Sequence, residues 1–140
     1  LYTMSNPSLV ALVPVEDMLV SLGLADRRVT LHRLYTDLYA ATFPARAVIN
    51  VAAIFCGGVG DYTTEAILRD PMGREIARTS GVFTAAAMHT HLFNFQAVIE
   101  TPGVCRIDGY LEGDLVSSVP LTVTLLPARA ESVETMINEQ

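Results

Sequence analysis

The chain has 140 residues, a mass of 15.1 kDa and a mean hydropathy of +0.38, with 51% of its residues hydrophobic and 17% charged. A chain of this size builds one domain with its own core, and its low charge excludes disorder as the main state. The net charge of −6 carries no basic stripe, since all nine cations are scattered arginines. Phosphate-driven nucleic-acid binding is therefore excluded and anionic membrane surfaces are disfavoured.

In chain order, residues 1–7 form an N-terminal extension, residues 8–127 one β-domain, and residues 128–140 a polar tail or short helix. The N-terminus lacks a basic region and is interrupted by Glu16 and Asp17, so it does not read as a signal peptide. No apolar run approaches the roughly 18 residues of a spanning helix. Residues 28–40 fit a helical template through Leu31, Leu34, Tyr35 and Leu38. Two strand segments with a bulge near Arg33 fit them better. The run from Ala47 to Phe55 is nearly all apolar, as in a central strand buried on both faces. Gly57-Gly58-Val59-Gly60-Asp61 then connects it to the next strand.

Period-2 alternation continues through the rest of the chain. Tyr62, Thr64, Ala66 and Leu68 oppose Thr63, Glu65, Ile67 and Arg69. His89, His91, Phe93, Phe95, Ala97 and Ile99 share one side. Cys105, Ile107, Gly109 and Leu111 alternate with Arg106, Asp108 and Tyr110, and Val119, Leu121, Val123 and Leu125 with Thr122 and Thr124. Pro120 lacks a donor N–H and belongs at a strand start or on an edge. Asp70-Pro71-Met72-Gly73 fits a type I turn, Thr101-Pro102-Gly103 a type II turn, and Glu112-Gly113 a tight hairpin. Short alternating runs separated by such turns predict an all-β, immunoglobulin-like or C2-like antiparallel β-sandwich of about seven to nine strands.

The order of these motifs resembles that of a family of small bacterial β-sandwich domains of unknown function. The resemblance is carried by Arg28-Val29-Thr30-Leu31, Leu34 to Leu38 and Thr42-Phe43-Pro44-Ala45. Gly57 to Gly60, Leu68 to Gly73, Pro102 to Cys105 and Gly113 to Val123 extend it. Arg27-Arg28 stands where that family has Gly-Lys, and Cys105 where it has an aromatic residue. The resemblance implies a sandwich fold and no reaction.

Few residues offer chemistry. His89-Thr90-His91 places two imidazoles on one face of a strand, where a metal could be shared if His32, Cys56 or a carboxylate supplied a third ligand. As a packing contact, the same pair would respond to pH. Glu16 and Asp17 point to opposite faces on a strand; in a loop they could meet Asp61 or Asp114 around Ca²⁺. The glycines at 57–60 are not a dinucleotide fingerprint, because a strand follows them. No nucleophile motif is present, so a non-enzymatic module without cofactor is expected. Cys56 and Cys105 read as small buried apolar residues, consistent with the cytoplasm.

The hydrophobic excess is the most informative feature. Ile67, Tyr110, Val116 and Leu24 fall on outward positions, where an apolar patch would mark an interface. A homo-oligomer, or docking on a protein partner through a sheet face or edge, is the expected consequence. The absence of lysine removes a common guard of edge strands.

Overall fold

The computed structural model describes residues 6–22 and 27–127, which form seven strands and no helix. These are β1 (Ser8–Leu22), β2 (Arg27–Leu34), β3 (Asp37–Ala40), β4 (Ala45–Arg69), β5 (Glu75–Ile99), β6 (Gly103–Leu111) and β7 (Asp114–Leu125). Leu24 and the tail expected over 128–140 lie outside the described residues.

The frame is a hairpin of two 25-residue strands, β4 and β5, bent midway. At the bend Gly57, Gly58 and Gly60 have φ of 80°, 83° and 95°, a region that a side chain makes costly. These glycines were expected to form a loop between two strands. They lie inside β4 instead, because β5 runs opposite without a break and the ladder continues through bulges around Gly57 and Asp61.

The bend divides the hairpin between two layers. Residues 50–56 of β4 lie between β1 and the second half of β5, while residues 64–69 lie between the first half of β5 and β6. β7 pairs with β6, and β3 closes that layer. The β3–β7 pairing is parallel, which departs from the expected all-antiparallel arrangement. It arises because the chain changes layers just before β3. Tyr35 N–H donates to Pro14 O in one layer, while Thr36 O accepts from Thr122 N–H in the other, each at 3.1 Å. The phase change expected near Arg33 is present, with φ of 56°.

One core fills the space between layers. Leu12, Ile49, Val51, Phe55, Phe93 and Phe95 face Ala66, Leu68, Phe83, Ile107, Leu121 and Val123. A Cβ on Gly109 of β6 would meet Leu12 Cδ2 at 3.1 Å, so β6 packs closely across β1. The expected burial of 47–55 on both faces holds only in part. Ala52 is fully buried, whereas Val48 is 65% exposed, because β1 leaves β4 at Val15 to pair with β2. Cys105 is buried, but Cys56 is only half-buried, unlike the expectation.

The turns follow their side chains. Gly73 N–H donates to Asp70 O at 2.9 Å, and Asp70 Oδ1 accepts from Met72 and Arg74 N–H. Glu112 and Gly113, at φ 51° and 84°, form the twisted two-residue hairpin between β6 and β7. Gly103 has φ of 141°, far from the roughly 80° of a type II turn, and already begins β6.

Candidate functional site

His89 and His91 do share the inner face of β5, opposite Phe55 and Ala53 of β4. Their ring centroids are 6.1 Å apart. The His89 ring stacks on Phe83 at 4.8 Å, and the His91 ring leans on Phe93 at 4.7 Å. A Cβ on Gly81 would lie 2.6 Å from His91 Cε1, so this imidazole sits directly on the Gly81 backbone. Burial, with the charge on His89 adding to it, pushes the His91 pKa below the ordinary imidazole value. The pair therefore closes the bend of β5, joining Gly81 and Phe83 of one layer to the other.

Among the described residues no three His, Cys, Asp or Glu side chains gather as a metal group would require. His32 is exposed on β2. Glu16 and Asp17 both lie in β1 and are engaged separately: Glu16 with Arg33 at 3.3 Å, and Asp17 Oδ1 with Met18 N–H at 2.8 Å. Asp61 Oδ1 accepts from Thr84 Oγ1 at the hairpin bend.

The outward residues differ in how much surface they offer. Ile67 does point away from the core, but it is only 3% exposed. Arg78 of β5 and Asp108 of β6 stand directly opposite it on either side. Long arginine stems beside an apolar side chain shield it while their heads stay polar. Arg78 pairs with Glu65 at 2.9 Å and Glu75 at 2.6 Å. Asp108 accepts from Arg69 Nε at 2.9 Å, Arg106 Nε at 2.8 Å and Ser118 Oγ at 2.6 Å. Burial alone would raise the Asp108 pKa, yet bonds from Arg106, Ser118 and Arg69 together hold it below the ordinary carboxyl value. Tyr110 is half-buried and Val116 is 43% exposed at the far end of this ionic face. The sequence signal for the lattice was Arg106 and Asp108 alternating onto one face, a pattern that ordinary solvated charges also give.

The open edges are the more telling feature. β5 pairs with β4 and with no other described strand along its whole length, so its second edge is open. From Thr79 to Ile99 that edge carries no Asp, Glu, Lys or Arg and no proline. Two other edges are guarded: β3 has four residues, and β7 carries Pro120 where β3 does not cover it. Short length, proline and charge are the usual protections of an edge, and β5 lacks all three beyond Arg78. Val82, Met88 and Val98 are exposed along it. An amide chain reaches the same edge. Asn94 Nδ2 donates to Asn50 Oδ1 at 2.7 Å, and Asn50 Nδ2 donates to Glu16 O at 3.1 Å.

No family model and no curated protein matches the chain. Solved structures do resemble it. One is a glycosyl hydrolase family 2 member from Bacteroides cellulosilyticus, at 11% identity and a TM-score of 0.49, over 59% of this chain and 13% of that one. This chain thus spans a small fraction of that enzyme's length. A CARDB domain from Pyrococcus furiosus, solved with di-metal ions, is similar at 10% identity and a TM-score of 0.42, over 87% of this chain and all of that one. An immunoglobulin-like protein from Pseudomonas aeruginosa is similar at 11% identity and a TM-score of 0.38, over 85% and 97% of the two chains. The strand pairing and single inter-layer core make this chain an all-β sandwich. Among the described residues no helix is long and apolar enough to cross a membrane.

Proposed function

We propose that this chain is a non-enzymatic interaction module that accepts a strand on the open edge of β5, from a second copy or a protein partner. The observation that carries the reading is the uncharged, proline-free edge from Thr79 to Ile99. Alternate N–H and C=O groups along such an edge point away from the sheet, and an added strand satisfies them with main-chain hydrogen bonds. The free thiols of Cys56 and Cys105 suit a cytoplasmic setting, where thiols stay reduced.

A peptide with the sequence of residues 88–99, flanked by lysines for solubility, tests strand acceptance. Titrated against the full chain diluted until light scattering gives a one-chain mass, it should slow amide hydrogen exchange within β5 and leave β6 and β7 unchanged. Protection absent from β5, or confined to other strands, overturns the reading.

A further inference from the structure

We infer that the strand received by β5 is β5 of a second copy, running antiparallel about a two-fold axis at Asn94; this rests on the edge-docking reading above. Asn94 is exposed and ends the amide chain that begins at Glu16 O. Its Nδ2 is committed to Asn50, and no donor among the described residues reaches its Oδ1. A primary amide carries both donors and acceptors, so two amides facing each other across a two-fold are self-complementary. A foreign strand would have to place a matching group at that one position, whereas a second copy does so by symmetry.

The flanking register supports the same occupant. An axis at Asn94 sets Leu92 against the partner's Gln96, Thr90 against the partner's Val98, and His91 against the partner's Ala97. Over Thr90–Val98, roughly 30 Å of strand at about 3.4 Å per residue, no formal charge meets another. The half of β5 before the bend is less suited, because it carries Glu75 and Arg78, the latter already tied to Glu65 and Glu75. Paired residues keep their faces, so Phe93 and Phe95 extend the core edge of one copy towards the other.

Cysteine cross-linking of the full chain, with Cys56→Ser to remove the half-buried thiol, tests the axis. The double variant Leu92→Cys, Gln96→Cys should form covalent dimers on mild oxidation, because residues 92 and 96 of different copies are opposed. Each single variant should stay uncross-linked, since identical residues lie four positions apart along the ladder. Light scattering on the unmodified chain should give twice 15.1 kDa. A second variant, Asn94→Asp, sets two carboxylates on the axis and should weaken the dimer at neutral pH by tenfold or more. A one-chain mass, covalent dimers from the single variants, or an unchanged dimer in Asn94→Asp overturns the inference. If the 88–99 peptide still protects β5 in such a chain, the edge accepts strands but its occupant is another protein. If the peptide fails as well, both readings fall.

Discussion

Replacing Asp108 with alanine removes a carboxylate, the one buried among the described residues, that ties three strands together. Its side chain is 3% exposed and accepts from Arg69 of β4, from Nε and Nη2 of Arg106 on its own strand, and from Ser118 of β7. Hydrogen bonds to charged groups contribute about 1.5–3 kcal/mol each. The full sum is not lost, because Arg69 and Arg106 are 23% and 52% exposed and regain water when the carboxylate goes. The expected loss is about 2–4 kcal/mol, or roughly 6–12 °C in melting temperature for a chain of this length. Glu65→Ala removes a partner of the half-exposed Arg78 on the same face and should cost at most about 1 kcal/mol. Urea unfolding followed by far-ultraviolet circular dichroism measures both, with an unchanged slope required for comparison. A loss for Asp108→Ala no larger than that for Glu65→Ala would refute the view that this carboxylate organises the face. Its depressed pKa adds a sign. The stabilisation is present above the unfolded carboxyl value near about 4 and is lost as pH falls through the lower folded value.

Two further predictions concern the histidine pair. Gly81→Ala should destabilise by about 1–2 kcal/mol, since the clash with His91 outweighs the usual gain from removing a strand glycine. In a His91→Ala background the same substitution should become neutral or stabilising, and a cost that persists in a double-mutant cycle would show that His91 is not the obstacle. The lowered His91 pKa means the unfolded chain takes up its proton first. Stability should therefore be full above about pH 6.5 and decline as pH falls below it, levelling off once the folded imidazole also titrates. Urea midpoints between about pH 8 and pH 5 should show this slope, and His91→Leu should flatten it.

The sequence by itself determined several strands and which side of each meets the core. Alternation in 62–69, 88–99 and 104–111 matches the buried sets, and the turn at Asp70 and the hairpin at Glu112-Gly113 follow from local chemistry. Even the break at Arg33 was legible, because the phase of apolar residues shifts there. Only the tertiary structure decided what each outward face became. Ile67 points outward as its position required, yet Arg78 and Asp108 from neighbouring strands cover it. Whether a glycine run is a loop or a bend depends on the strand opposite, and β5 runs unbroken past Gly57 to Gly60. The open edge was likewise invisible in the sequence. Thr79 to Ile99 shows only low charge, while the pairing order leaves that stretch without a second neighbour among the described strands. Periodicity reports the direction of a side chain from its own backbone; coverage and pairing depend on segments distant in sequence, and these only the folded chain brings together.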